Sequence, residues 1–271
     1  MVRNLIRAGF ELHIYARTKE KVMDVIADGA VFHETIHDCV KNCDAVITIV
    51  GHPKDVEEVY MEQGNIFDSV KAGTFLIDMT TNSPTLAKKL YEAGKKKGLH
   101  VLDAPVTGGD IGAKNGTLSI LVGAEKEDYE MCRPILEAMG TNINYFGKAG
   151  AGQHAKLTNQ IILSGTISGI CEAFSYAKAQ GLDINVIFQA LSTGAAGSKQ
   201  LDTLGPKLLA DDYSPGFLLK HFIKDMRLAE QEAEEKGLSL EILSQTLHNY
   251  LELEDNGFGD LGTQALIKHY E

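Results

Sequence analysis

The sequence predicts an α/β domain with a doubly wound, mostly parallel sheet, followed by an all-α domain. Two observations carry this expectation. Through residue 149, short apolar runs rich in Val, Ile and Leu alternate with segments of helical periodicity, the pattern of strands joined by crossover helices. Beyond Gly152 the strand-like runs stop and only helical patterns remain. A chain of 271 residues can bury more than one core, and the predicted domains are 1–149 and 150–271.

At the N-terminus Met1, Leu5 and Ala8 share a helical face, and Gly9 is a suitable stop. Strands are expected at 11–17, 45–50, 74–79, 100–106, 118–123 and 142–146. The helices between them are expected at 19–28, 35–42, 55–63, 84–98 and 125–139. In the second half the helical patterns cover 153–180, 184–191, 225–236, 239–254 and 261–270. Ser164, Gly165, Ser168 and Gly169 recur on neighbouring faces of the first of these, which suits close helix packing.

Composition excludes several function classes. The net charge of −11 disfavours nucleic acid, whose phosphates need a basic face, and disfavours an anionic membrane surface. Apolar runs such as 45–50 are too short to span a bilayer, and no charged-then-apolar signal segment opens the chain. A cytoplasmic protein is expected. Cys39, Cys43, Cys132 and Cys171 form no C-x-x-C and the nine histidines no H-E-x-x-H, so reduced thiols and no metal site are expected.

Four stretches carry candidate chemistry. In YARTKEK, at the end of a strand, Arg17, Thr18 and Lys21 offer two cations and a hydroxyl. In nucleotide-binding sheets an acid at this place accepts the ribose 2′-OH of NAD, whereas Arg suits the 2′-phosphate of NADP. Such a turn is also an ordinary basic helix start. In LDAPVTGG a strand ends and Thr107, Gly108 and Gly109 follow, a hydroxyl and backbone amides able to meet a carboxylate, or simply a tight turn. In GAGQHAKLTNQ, Lys156 and Asn159 share a helical face one turn below a glycine entry. If buried, this lysine would have a lowered pKa and trade protons near neutrality; if it snorkels, its head reaches water. In GFLLKHFIKDMRLA, Lys224 and Asp225 precede an amphipathic helix, and Phe217 and Phe222 suit a core or a pocket.

Taken together, DAPVTGG, GxGxxxKxxN and KDMRLA at these spacings resemble the β-hydroxyacid dehydrogenase family over essentially the whole chain. That family includes 3-hydroxyisobutyrate dehydrogenases, tartronate semialdehyde reductases and glyoxylate/succinic semialdehyde reductases. The resemblance implies an N-terminal Rossmann-type domain, a helical C-terminal substrate and oligomerisation domain, and a homo-oligomer. It implies that Lys156 is the catalytic acid/base and that Thr107 with the Gly108 and Gly109 amides holds the substrate carboxylate. Relatives often carry serine at the Thr107 position, so the added methyl narrows the pocket. Asn159 would orient the substrate, and Phe217 and Asp225 match substrate-pocket positions of the glyoxylate/succinic semialdehyde branch. Thr81, in DMTTNSP, and Lys224 would touch the nicotinamide half of the cofactor. Val50 and Gly51 would line the adenosine side, where relatives usually carry proline in place of Gly51.

Relatives also begin with a strand and a G-x-G-x-M-G loop before the helix that matches Met1–Ala8. Without that central strand, two strand edges and a slot in the core are expected. The pyrophosphate would also lose its loop amides. The implied reaction is hydride transfer between NADP(H) and a small carboxylate-bearing aldehyde or hydroxy acid, with glyoxylate and succinic semialdehyde leading. The alternatives are an NAD-dependent 3-hydroxyisobutyrate dehydrogenase-like enzyme and a truncated, non-catalytic paralogue unable to hold cofactor.

Overall fold

The computed structural model describes all residues from Met1 to Glu271. The chain divides into two units, Met1–Lys156 and Leu157–Glu271.

The first unit opens with α1 (Val2–Arg7), β1 (His13–Ile14), α2 (Met23–Ala27), β2 (Val31–Phe32) and α3 (Ile36–Val40). It continues with β3 (Ala45–Thr48), α4 (Pro53–Met61), α5 (Ile66–Ser69), β4 (Phe75–Asp78), α6 (Pro84–Lys96) and β5 (His100–Asp103). Then come β6 (Val106–Thr107), α7 (Gly109–Asn115), β7 (Leu118–Gly123), α8 (Lys126–Glu137), β8 (Gly140–Gly147) and the start of α9 (Ala151–Ala179). Strands β3, β4 and β5 are parallel neighbours. β7 runs antiparallel to β5 and β6 and parallel to β8, so the six-stranded sheet is mixed.

Both faces of this sheet are covered. On β4, Leu76 packs with Val56, Tyr60 and Leu90 on one side, while the next residue, Ile77, packs with Ile120, Val122 and Leu136 on the other. Val101 and Leu102 on β5 divide the same way. Successive strand residues point to opposite faces, so apolar runs without alternation mark strands buried on both sides.

Three expectations change in detail. The run expected at 100–106 is interrupted because Pro105 has no N–H to give; its carbonyl still accepts from Leu121 N at 2.9 Å. The strand expected at 11–17 pairs over only two residues, His13 with Val31 and Ile14 with Phe32. This β1–β2 pair forms its own sheet and has no ladder to β3. The helix expected at 19–28 begins as a 3-10 turn, Lys19–Val22.

The second unit holds the rest of α9, then α10 (Ile184–Ser192), α11 (Lys199–Leu209), α12 (Leu219–Glu234), α13 (Glu241–Asp255) and a 3-10 helix, Thr263–His269. Phe174, Phe222, Met226, Leu247, Tyr250 and Leu266 lie in its core. The Tyr250 hydroxyl, buried among them, donates to Thr263 O at 2.6 Å. α12 starts six residues earlier than expected, because Leu219, Phe222 and Ile223 extend its buried stripe. Lys224 and Asp225 therefore lie in its second turn and do not precede it.

Candidate active site

The carboxyl ends of β3, β4 and β5 carry a chain of buried polar groups. Asp78, at the end of β4, is 2 % exposed. Its carboxylate accepts from Thr48 Oγ1 at 3.1 Å, from the Thr80 amide at 3.1 Å and from Asn82 Nδ2 at 3.3 Å. Burial raises its pKa, and these donors oppose the rise. Val50 N donates to Thr80 Oγ1 at 3.0 Å, which ties the Val50–Gly51 loop to the loop carrying Thr81. Thr81 and the Val50–Gly51 pair are half-buried.

Asp103, at the end of β5, caps α9. Its two oxygens accept from the amides of Gly150 at 2.7 Å and Gln153 at 2.8 Å. A carboxylate there satisfies donors that a helix start leaves unpaired and favours the positive end of its dipole. Burial nevertheless pushes the Asp103 pKa up to about 6. The approach is close: a Cβ on Gly152 would sit 2.3 Å from Leu121 O, and one on Gly123 would sit 2.6 Å from Asp103 Oδ1.

The buried stripe of α9 begins polar. Gln153, Lys156, Gln160 and Ser164 are at most 7 % exposed, and only further along does the stripe become apolar, with Ile167, Cys171 and Phe174. Burying this much polar surface is costly unless it is satisfied, and such departures from an apolar stripe mark functional sites. Lys156 is the most telling member. The residue is 7 % exposed, so it is buried along the stripe.

Within the second unit, Gln160 gathers three of the predicted site residues. Its Oε1 accepts from Asn159 Nδ2 at 2.8 Å, and its Nε2 donates to Asp225 Oδ2 at 2.6 Å. The other oxygen of Asp225, which is 1 % exposed, lies 2.9 Å from Lys224 Nζ in an ion pair. Phe217 is half-buried and packs at an angle on Phe222, with ring centroids 5.7 Å apart.

The remaining predicted residues lie in the first unit. Thr107 ends β6 opposite Ser119, Gly108 has φ +124°, and Gly109 (φ +63°) opens α7. Both glycines sit where a side chain would be strained. Arg17, Thr18 and Lys21 are exposed. The Arg17 guanidinium bonds Asp55 at 3.1 Å and Glu58 at 2.9 Å on α4. A cavity of about 380 Å³ lined by His13, Phe32, His33 and Cys43 contains none of the predicted site residues.

Sequence reasoning missed Gln153, Gln160, Asp78 and Asp103. A signal for two of them was present, since Gln153 precedes Lys156 by three residues and Gln160 follows it by four, spacings as face-sharing as that of Asn159.

Comparison with known proteins decides the family. A model of the NAD binding domain of 6-phosphogluconate dehydrogenase matches residues 1–150, and one of the NAD-binding domain of NADP-dependent 3-hydroxyisobutyrate dehydrogenase matches 150–270. The chain belongs to the β-hydroxyacid dehydrogenase family. Among its relatives, the uncharacterized oxidoreductase YkwC of Bacillus subtilis is 47 % identical over 99 % of this chain and 93 % of its own. The probable 3-hydroxyisobutyrate dehydrogenase-like 1, mitochondrial, of Arabidopsis thaliana is 40 % identical over 98 % of this chain and 80 % of its own. A solved Mycobacterium tuberculosis 3-hydroxyisobutyrate dehydrogenase with L-serine superposes with a TM-score of 0.88 at 27 % identity, over 98 % of this chain and 93 % of that one. This β-hydroxyacid dehydrogenase is an NAD(P)-dependent oxidoreductase of the 3-hydroxyisobutyrate dehydrogenase/tartronate semialdehyde reductase type. No helix in it is long and apolar enough to cross a membrane.

Proposed function

We propose that the protein interconverts a small carboxylate-bearing semialdehyde or keto acid and its 2- or 3-hydroxy acid, with NADP(H) as redox partner and Lys156 as acid/base. The observation that carries this reading is the burial of Lys156 in the polar start of the α9 stripe. A lysine kept there has a role beyond solubility.

The donor set suits a dinucleotide. Arg17, Thr18 and Lys21 follow β1, Val50 and Gly51 follow β3, and Thr81 follows β4, so all stand at the carboxyl ends of parallel strands, where open sheets bind ligands. Arg17 and Lys21 would take the 2′-phosphate, Val50 and Gly51 the adenosine side, and Thr81 and Lys224 the nicotinamide side. When bound, the nicotinamide supplies or accepts the hydride. Thr107 and the Gly108 and Gly109 amides hold the substrate carboxylate, which fixes the position of the reacting carbon. Lys156 gives a proton to the carbonyl oxygen as negative charge develops there and takes it back in the oxidation. Asn159, Phe217 and Asp225 shape the pocket, with Gln160 linking two of them. In this reading residues 1–149 form the dinucleotide-binding domain and also grip the substrate carboxylate, while 150–271 form the substrate and oligomerisation domain and lend Lys224 to the cofactor. Exposed apolar side chains such as Ile162, Tyr176 and Ile242 support a homo-oligomer, and the acidic composition suits a cytoplasmic enzyme.

One observation favours NAD instead. The Arg17 guanidinium is already paired with Asp55 and Glu58. Those carboxylates would repel a 2′-phosphate, and they could accept ribose hydroxyls.

Lys156→Ala tests the core of the proposal. Its kcat should fall about 10²- to 10⁴-fold, the usual contribution of a positioned acid/base, while cofactor affinity stays unchanged. Turnover close to that of the unaltered enzyme would remove Lys156 from the chemistry.

A further inference from the structure

We infer that Gln153 is a positioning residue that locks the Thr81 loop and the Lys156 turn of α9 into one register. The inference rests on the roles proposed above for Lys156 and Thr81, and it concerns a residue that would act through its neighbours.

Gln153 is fully buried and makes three bonds to two different strand ends. Its Nε2 donates to Thr80 O at 2.8 Å, and its Oε1 accepts from Asn82 N at 2.9 Å. Its own amide donates to Asp103 at 2.8 Å. The side chain thus grips the residue before Thr81 and the residue after it. The loop presents one carbonyl and one N–H, so the gripping group must both donate and accept. A carboxamide does this without charge. Lys156 lies one helical turn further along the same face. Thr80 and Asn82 are themselves anchored to Asp78, so the loop cannot shift alone. Asp103 belongs to the segment that continues to Thr107. The segments proposed to meet nicotinamide, carboxylate and reacting oxygen therefore converge on this one turn of helix. A group needed only to fill the space could have been apolar, since a fully buried amide gains little net stability.

The test uses the full-length protein and two near-isosteric variants, Gln153→Met and Gln153→Glu. Methionine keeps the volume and loses both side-chain bonds. The glutamate carboxylate still accepts from Asn82 N but sets an oxygen against Thr80 O; once protonated, it can donate to Thr80 again. The groups around this turn that also titrate or carry charge are Asp78 and Asp103 from the strands, Lys88 from α6, and His154 and Lys156 on α9 itself. They are present in every variant, so each is compared with the unaltered enzyme at the same pH.

In Gln153→Met, kcat should fall about 10- to 100-fold with little change in KM. The primary isotope effect on kcat with 4-deuterated reduced cofactor should rise, because misregister slows the hydride step itself. Gln153→Glu should behave like the methionine variant in alkaline solution and recover toward the unaltered rate in acid. A purely structural role would produce neither the isotope effect nor the recovery. If Gln153→Met does not fold, the acid recovery of Gln153→Glu decides alone. Unchanged kcat and isotope effect in both variants at every pH, beside an inactive Lys156→Ala, overturn the inference while leaving the proposed chemistry standing. A fully active Lys156→Ala removes the chemistry and the inference with it.

Discussion

Asp103 shows how much one buried carboxyl can decide. The folded carboxyl keeps its proton up to about pH 6, whereas the ordinary value is 3.8. The folded state therefore binds more protons than the unfolded state between those values. The stability contributed by this group is complete below pH 3.8 and is lost as pH rises through 6. The loss is on the order of 2–3 kcal/mol. Asp103→Asn does not titrate and gives up one acceptor at all pH values. Denaturant midpoints of the two proteins, measured from pH 3.5 to 7 at about half-unit steps, should show the unaltered protein losing ground to the variant across that window. A constant difference would mean that Asp103 is not protonated in the folded state. Residues of this kind are hard to read from sequence. Lys156 stood out because a lysine is misplaced on an apolar face. Asp103 and Gln153 look like ordinary polar residues until the fold buries them, and the partners that explain them, Gly150 and Thr80, lie 47 and 73 positions away.

At the scale of elements, the legible parts were those with long runs. β3, β4, β7, α6, α8 and α9 all lie within two residues or so of their expected bounds, because periodicity over many residues leaves few alternatives. Short or irregular elements were not legible. β2 has two residues, and α11 contains Gly205-Pro206, which reads as a turn. It is helical because Ser198 caps it through Leu201 N and because Phe188 fits against Gly205 where a larger residue could not. Glycines on α9 give a matched test of packing against propensity. A Cβ at Gly152 would meet Leu121 O at 2.3 Å and Asp103 O at 2.8 Å, backbone atoms that cannot step aside. At Gly169 it would meet nothing within 4 Å. Gly152→Ala should lose about 1–3 kcal/mol in urea unfolding. Gly169→Ala should gain up to about 1 kcal/mol, because alanine costs less backbone entropy in a helix. Equal effects at the two positions would show that the glycine cradle around Asp103 is not tight.

For the molecule as a whole, the open question is which dinucleotide the first unit holds, and thermal unfolding answers it directly. The family follows from matches spanning the chain, but cofactor preference depends on a few exposed groups at the end of β1. The ion pairs that occupy Arg17 are solvent-exposed and screened by water, so a 2′-phosphate can displace them at small cost. The separate β1–β2 pair does not remove the strand-end donors, so binding remains expected. A cofactor at 100 times its Kd adds about 2.7 kcal/mol of stability. For a chain of this size that is a rise of about 5–10 °C in Tm. NADPH should give this rise, NADH a smaller one at equal concentration, and Arg17→Ala should bring the NADPH response down to that of NADH. If NADH stabilises more than NADPH and Arg17→Ala does not weaken the NADH response, the Asp55 and Glu58 carboxylates govern the site and the enzyme is NAD-dependent. If neither cofactor moves Tm, this chain does not hold a dinucleotide by itself, and Lys156 has no hydride donor to work with.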